Sequence, residues 1–404
     1  MSPPALSAPE RFRHGELTVL YDPMPGPLTA IGVVITVGSR HDGRYPGLAH
    51  MTEHMLFQGT RRLDQLAINR RAGELGGEHD ADTGYDDMTL HFEIFNEDVE
   101  DALYLLADQL FASTVPDARF EKERRVVIDE IRGRREDPVN TLHEQAWRRF
   151  FGDAFGHPIC GTVESLRRLT PAVVRGFLRR HFQPGRMVLG VSGGVTAARL
   201  RRAVARAFPR RAGRSAPRLR RPPTLRTGML RLRREDLPQA YLIRLARVPS
   251  DHRRQLALQV ALEIVGADPD ARLFQEVRER LGLGYDVGAS LEVGPDWAAT
   301  VLSASAAREQ ERRLVDTVEH TCRDATRGFS HDEVRRAHRK LRYRFARLQD
   351  ARLDRALAHA TRAAMGQPSL PATMALLARL EHAEVEAAWR EMMRAPTLTA
   401  VLSS

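Results

Sequence analysis

The segment GLAHMTEHMLFQGT, residues 47–60, decides much of what this chain can be. It places His50 and His54 four residues apart, with Glu53 directly before the second histidine, among apolar residues at helical spacing. Residues four apart lie on one face of a helix, so both imidazoles can point to one position that Glu53 flanks. The pattern HxxEH therefore predicts a short helix with two metal ligands, which Gly59 and Thr60 end.

Two histidines do not complete a catalytic zinc site, because such a site usually has three protein ligands and one open position. The segment DARFEKERRVVIDEIRGRRED, residues 117–137, predicts a helix on which Glu123 and Glu130 share one face. Acids at this spacing are typical of a solvated face that pairs with arginines, and also of a metal site. The spacing alone leaves both interpretations open.

The composition indicates a globular chain of 404 residues, with 42% hydrophobic and 28% charged residues, which suits two domains. The only cysteines, Cys160 and Cys322, are too few for a disulfide framework or a cysteine-built zinc site, and we expect both to be ordinary thiols. Any metal must then use nitrogen and oxygen ligands. The chain shows no signal-peptide pattern and no apolar run long enough to span a membrane, so we expect a cytoplasmic protein without a membrane partner.

A formal net charge of +10 raises the alternative of a nucleic-acid-binding protein. Of the 62 basic residues only Lys122 and Lys340 are lysines, and the arginines are scattered among 52 acids along predicted helices. The densest run, RRAGRSAPRLRRPP at 210–223, has no aromatic residues for stacking bases and is typical of a linker. Salt-sensitive retention on DNA would favour this alternative.

The pattern of strands and helices occurs twice along the chain. β-Branched runs such as ELTVLYD and TAIGVVITVG precede the HxxEH helix, and TLTAVLSS closes the second half. We predict an α+β fold of two homologous domains, each a mainly antiparallel sheet packed with helices. The predicted boundaries are a metal-bearing domain at 1–208, an Arg/Pro-rich linker at 209–227 and a second domain at 228–404.

The motif and several further blocks together resemble one family. HxxEH is followed by EKERRVVIDE, and the blocks GGEHDADTGYDDMTLHF, HPICGTVESLRRLT, HFQPGRMVLGVSGGV and ARLFQEVRERLGLGYDV come in family order. The chain resembles the inverted zincins of the pitrilysin, insulin-degrading enzyme and mitochondrial processing peptidase family. This resemblance implies one zinc ion per chain, held by His50, His54 and Glu130. It also implies Glu53 as the general base and Glu123 as a supporting carboxylate.

The resemblance further implies residues that contact the substrate. Arg278 and Tyr285, in RERLGLGY, match an arginine and a tyrosine that reach from the second half toward the scissile bond and could stabilise the oxyanion. Gly77 to Ala81 match the strand that receives the peptide. Asp80 departs from the family, which usually has Asn there, so the subsite preference is expected to differ.

The function that the resemblance implies is a zinc-dependent metalloendopeptidase. It would hydrolyse unfolded peptides bound as an extended strand, by attack of a zinc-bound water with Glu53 as base. The resemblance to short family members implies that the chain pairs with a second chain. Because this chain carries both HxxEH and the pair Arg278 and Tyr285, we expect a homodimer, with a heterodimer of related subunits as the alternative. A catalytically silent or regulatory subunit of such a heterodimer is the rival interpretation, and the intact motif argues against it.

Overall fold

The computed structural model describes residues 8–210, 224–266, 268–284, 286–348 and 350–404. Most of the expected linker, 211–223, lies outside the described residues. The strands are β1 Glu10–His14, β2 Leu17–Pro23, β3 Leu28–Ile35, β4 Glu78–Thr83, β5 Met88–Phe95, β6 Met187–Gly193, β7 Gly228–Arg233, β8 Gln239–Arg247, β9 Val287–Val293, β10 Ala298–Ala307 and β11 Thr397–Ser403.

The helices lie between these strands, as the sequence pattern predicts. They are α1 Leu48–Leu56, α2 Gln65–Glu74, α3 Val99–Ala112, α4 Asp117–Glu136, α5 Pro138–Phe151, α6 Val163–Arg168, α7 Pro171–His181, α8 Ala197–Ala207, α9 His252–Val265, α10 Arg272–Phe274, α11 Glu311–Asp324, α12 His331–Arg347, α13 Arg352–Met365, α14 Leu370–Leu377 and α15 His382–Arg394. Helix α10 continues directly into a π-helix over Gln275–Arg280. An Leu281 N to Glu276 O bond of 3.1 Å gives this turn its wider π geometry.

Two sheets share one strand plan. The first has the order β1-β2-β6-β3-β5-β4 and the second the order β7-β11-β8-β10-β9. In each sheet one pair is parallel, β2 with β6 and β7 with β11, and the other pairs are antiparallel. Among the described residues, the second sheet thus repeats the order of the first without a counterpart of its edge strand β1. This confirms the predicted α+β class with two domains of mainly antiparallel sheet.

The two compact units are not contiguous in sequence, whereas the expected domains were. One unit comprises Met1–Arg132, Pro158–Leu219 and Arg347–Pro371, and the other comprises Gly133–His157, Arg220–Ala346 and Ala372–Ser404. Helix α13 therefore packs on the first sheet, against β3 and β6, and α5 packs on the second sheet, against β8 and β11. Each helix lies on the sheet of the other sequence half, because its apolar face is buried there.

Helix α13 covers one face of the first sheet, and α1 lies on the other. Val33 and Val34 on β3 are both fully buried, because successive strand residues point to opposite faces. Val33 joins the large core that includes Met51 and Met55 of α1, whereas Val34 packs with Ala360 of α13. Both faces of the central strands are therefore buried.

A buried polar cluster holds α13 on the sheet. Arg355 Nε donates to Asp22 Oδ2 at 2.6 Å, and His359 Nε2 lies 3.1 Å from the same oxygen. A side chain at Gly190 on β6 would place its Cβ 2.1 Å from the Ala356 carbonyl oxygen, so only glycine permits this approach. The helix is fixed by charge and by close backbone contact together.

No helix among the described residues combines the length and the apolar composition that a membrane crossing requires.

Candidate metal centre

Helix α1 begins at a fixed point because an upstream carboxylate caps it. Asp42 accepts hydrogen bonds from the backbone N–H groups of Gly47, at 2.7 Å, and Ala49, at 2.8 Å. A carboxylate at the N-terminal end of a helix accepts hydrogen bonds from N–H groups that have no partner inside the helix. Its negative charge also interacts favourably with the positive end of the helix dipole. Burial raises the pKa of Asp42 well above its usual value, although these backbone hydrogen bonds lower it. The cap fixes where the histidine face of α1 points.

Three donor groups from α1 and α4 meet in the first unit. The rings of His50 and His54 are 4.8 Å apart between centroids. Glu130 Oε2 lies 3.6 Å from His50 Nε2 and 3.8 Å from His54 Nε2. Among the described residues, these three form the one cluster of His, Cys, Asp or Glu ligand atoms that lie within 4.8 Å of one another.

The donor set fits a zinc ion. Two imidazole nitrogens and one carboxylate oxygen are the ligands of many catalytic zinc sites. In a tetrahedral zinc site with such ligands, neighbouring ligand atoms are roughly 3.3 Å apart. The observed separations of 3.6 and 3.8 Å between Glu130 Oε2 and the histidine nitrogens would need to shorten only slightly to hold the ion. The residues that could hold the metal are therefore His50, His54 and Glu130.

Glu123 lies behind one of the histidines. Its Oε2 is 3.3 Å from His54 Nδ1, the ring nitrogen that points away from Glu130. Burial lowers the pKa of His54, but hydrogen bonds with Glu123 and Glu130 outweigh burial and raise that pKa to about 9. The hydrogen bond with His54 lowers the pKa of Glu130 to about 2, although burial raises it. The two carboxylates thus favour a cation at this position, and a proton competes with a metal for it.

Glu53 lies beside the cluster and contacts strand β4. Thr83 Oγ1 donates to Glu53 Oε2 at 2.5 Å. Burial raises the pKa of Glu53 to about 7, while the hydrogen bond from Thr83 lowers it. A carboxylate therefore stands on the same helix as both histidines, oriented by a hydroxyl group.

The predicted peptide-binding strand is the edge of the first sheet. Within the described part of the chain, strand β4 pairs only with β5 and is the last strand in the order. Asp80 is exposed on it and accepts a bond from its neighbour's backbone, Ala81 N, at 2.8 Å. Ala81 is buried, and Gly77 directly precedes the strand. The predicted residues therefore lie along an edge whose outer backbone groups face away from the sheet.

Of the two substrate-contacting residues predicted in the second half, the structure describes Arg278 but not Tyr285. Arg278 lies in the second unit, on the π-helix, with its guanidinium 5.1 Å from the centre of the Phe274 ring. Its Nε is 3.6 Å from Glu279 Oε1. Tyr285 lies outside the described residues.

Sequence reasoning missed three residues around the cluster: Asp42, Thr83 and Cys160. Thr83 could have been found, because strand alternation places it on the same face as Ala81. Asp42 caps helix α1 although it lies five residues before Gly47, the residue at the usual N-cap position. Cys160 Sγ comes within 3.8 Å of His50 Nε2 only through the tertiary fold. Neither residue has a local sequence signal.

Comparison with protein families finds two successive matches along the chain. Residues 18–161 match the family described as Insulinase (Peptidase family M16), and residues 168–341 match the one described as Peptidase M16 inactive domain. The cluster lies within the first match. The second match agrees with a second half in which the sequence shows no HxxEH motif.

Curated relatives cover most of the chain. An uncharacterized zinc protease of Streptomyces coelicolor is 30% identical over 342 residues, which are 80% of this chain and 73% of that protein. An uncharacterized zinc protease of Mycobacterium leprae is 32% identical over 303 residues, which are 72% of this chain and 67% of that protein.

Solved structures share the fold. A Pseudomonas fluorescens structure described as a peptidase M16 inactive domain matches with a TM-score of 0.90 at 18% identity, covering 98% of this chain and 97% of that chain. A protease from Helicobacter pylori matches with a TM-score of 0.87 at 17% identity, covering 98% of this chain and 100% of that chain. Together with the family matches and the relatives at 30% identity or more, these findings show that the chain belongs to peptidase family M16, the insulinase family.

Proposed function

We propose that this chain is a zinc-dependent metalloendopeptidase that hydrolyses peptide bonds in unfolded peptides. The observation that carries the proposal is the meeting of His50, His54 and Glu130, with Glu53 on the same helix as both histidines. The relatives from Streptomyces coelicolor and Mycobacterium leprae are both named as zinc proteases. The metal would be one zinc ion per chain.

The chemistry divides between the metal and the chain. Bound zinc would act as a Lewis acid, which polarises the scissile carbonyl and makes water more acidic. Glu53 would accept the proton of the attacking water and transfer it to the leaving nitrogen, as a general base and then a general acid. Thr83 holds Oε2 of that carboxylate, so Oε1 is the oxygen that would receive the proton. Glu123 would keep His54 oriented through Nδ1.

The substrate would bind by adding a strand to the sheet. Strand β4 is an edge, and an extended peptide can pair with its free backbone groups while its side chains alternate between two faces. A folded protein cannot offer such a strand without local unfolding. This supports unfolded peptides as the substrate class, with Asp80 and Ala81 on the receiving strand. As the family resemblance implies, Arg278 and Tyr285 would contact the substrate from the second half of a chain.

Glu53→Gln tests the catalytic role. The amide keeps the shape of the side chain but cannot accept the proton, so cleavage should fall by several orders of magnitude, about 10³-fold or more, with zinc retained. His50→Ala, His54→Ala or Glu130→Ala should instead lose zinc, measured by elemental analysis of the dialysed protein. Glu121→Gln is the matched control on α4, because that side chain is 54% exposed.

Each contrary result has a distinct meaning. Near-normal turnover by Glu53→Gln would remove Glu53 from the reaction. Absence of zinc from the parent protein would remove the metal. Stoichiometric zinc without cleavage of any unfolded peptide would favour a silent or regulatory subunit instead.

We further propose that the working form is a homodimer, since one chain carries both HxxEH and the pair Arg278 and Tyr285. The support is the resemblance to short family members. A heterodimer with a related subunit is the alternative.

A further inference from the structure

A cysteine outside the HxxEH motif contacts two of the candidate ligands. The Cys160 thiol donates to Glu130 Oε1 at 3.4 Å, and its Sγ lies 3.8 Å from His50 Nε2. The residue is buried, with 4% of its surface exposed. It comes 30 residues after Glu130 and 110 after His50, so the fold alone brings it here.

Close backbone contacts fix this cysteine beside helix α1. Gly47 has φ +86°, and a Cβ there would lie 2.6 Å from the Cys160 carbonyl oxygen. Gly161 has φ +76°, and a Cβ there would lie 2.4 Å from the Pro46 carbonyl oxygen. Ser165 Oγ also donates to Pro46 O at 2.7 Å. The backbone of Cys160 is therefore held against the start of α1, which places the thiol within reach of the cluster.

The two oxygens of the Glu130 carboxylate face different neighbours. Oε1 accepts from the thiol, whereas Oε2 faces the ring nitrogens of His50 and His54 at 3.6 and 3.8 Å. A hydrogen bond to one oxygen restricts rotation of the carboxylate and selects the other oxygen for the metal. Without this bond, Glu130 could turn, since its side chain is 36% exposed.

We propose that Cys160 is a positioning residue of the metal centre, whose thiol holds Glu130 so that Oε2 faces His50 and His54. This inference rests on the proposed zinc function. The sulfur is not itself a ligand, because it faces Oε1 and is not one of the three donors that lie within 4.8 Å of one another.

Zinc affinity measures this role directly, by competition with a chromophoric chelator. Cys160→Ala should weaken zinc binding by about 10–100-fold, the usual effect of removing a hydrogen bond to a metal ligand. Cys160→Ser, whose hydroxyl can donate to the same oxygen, should stay within a few-fold of the parent. The matched control is Cys322→Ala, a fully buried cysteine of the second unit that should leave zinc affinity unchanged.

Cobalt substitution separates positioning from ligation. The Co²⁺ protein should lack a near-ultraviolet sulfur-to-cobalt charge-transfer band, and the visible d–d bands of Cys160→Ala should shift because Glu130 is less constrained. Equal zinc affinity in Cys160→Ala and parent would overturn the proposal, as would a charge-transfer band that disappears with Cys160. If Cys160→Ala unfolds, the serine variant decides: a zinc affinity of Cys160→Ser as low as that of Glu130→Ala would also overturn the proposal. A parent that binds no zinc fails the proposed function itself, before any variant is compared.

Discussion

Thr83 Oγ1 lies 2.5 Å from Glu53 Oε2, so a hydroxyl group on the edge strand β4 holds the carboxylate that stands beside the candidate metal ligands. The two residues come from different elements, a strand and a helix. Their contact links the strand proposed to receive the peptide to the group proposed to move the proton. A substrate that shifted β4 as it bound would therefore also shift Glu53.

Thr83→Val should lower kcat by about 10–100-fold while zinc content stays unchanged. The replacement keeps the shape but removes the donor, and a hydrogen bond to a charged group contributes about 1.5–3 kcal/mol. Thr83→Ser keeps the donor and should retain most of the activity. Steady-state kinetics on an unfolded peptide, with metal analysis of each variant, measure both effects. Equal losses in the valine and serine variants would point to packing of the Thr83 methyl group, not to its hydroxyl.

The order of strands and helices could be predicted from the sequence because local patterns encode it. The buried runs ELTVLYD and TAIGVVITVG became β2 and β3. The sequence did not predict that α5, from the first half, packs on the second sheet, or that α13, from the second half, packs on the first sheet. This packing depends on long-range contacts, such as Asp22 with Arg355, 333 residues apart. β1 also escaped prediction, since its strand has charged residues at 10, 11 and 13 and no apolar alternation.

The same division holds at the metal centre. The helical spacing of HxxEH predicted that His50 and His54 share a face, and their rings lie together. Glu130 could be chosen over other acids only through the family resemblance, because its spacing also suits a solvated face. Cys160 carries no local signal, and its contact with Glu130 arises from the packing of Gly47 against the Cys160 carbonyl oxygen.

Strand β4 should favour basic side chains in the substrate. Glu78, Asp80 and Asp82 alternate along it and are all exposed, although the protein as a whole is basic. Asp80→Asn should reduce the preference for lysine- or arginine-containing peptides by a few-fold, since exposed charge pairs contribute about 0.2–1 kcal/mol. Competition between a lysine peptide and its glutamine analogue measures the ratio of kcat/KM values.

Salt and a distant acid provide the controls for this charge effect. The preference should weaken at high ionic strength, and Asp332→Asn, on α12 of the second unit, should not alter it. An unchanged ratio in Asp80→Asn would show that the Asp80 charge does not reach the peptide.

Two histidines near β6, the buried His181 and the half-buried His41, should each lower the stability of the folded protein in mild acid. Arg186 Nη1 donates to His181 Nδ1 at 3.0 Å, and the His41 ring lies 5.6 Å away. Burial, with the nearby Arg186 charge, lowers the pKa of His181 to about 3 and that of His41 to about 4. Unfolded histidines bind protons below about pH 6.5, whereas these stay neutral in the folded protein. The contribution of these two histidines to stability is therefore complete above about pH 6.5 and is lost as the pH falls toward about 4.

His181→Asn should make this pH dependence less steep. Removing one histidine removes up to about one proton taken up on unfolding, or roughly 1 kcal/mol per pH unit. Urea denaturation of parent and variant between pH 7 and pH 5 measures the two slopes. Parallel slopes would mean that His181 already protonates in the folded state. His320→Asn, a histidine of α11 in the second unit, is the control.

The homodimer proposal predicts that two inactive variants restore activity when mixed. One variant carries Glu53→Gln, and the other carries Arg278→Ala with Tyr285→Phe. If each working site combines the first half of one chain with the second half of its partner, a mixed dimer contains one site with every residue intact. With free subunit exchange half of the dimers are mixed, so roughly a quarter of the parental activity should return, as expected for a two-fold symmetric assembly. Subunit exchange is measured independently, by energy transfer between labelled chains. Proven exchange without recovery would mean that one chain supplies the whole site, or that Arg278 and Tyr285 do not contribute to it.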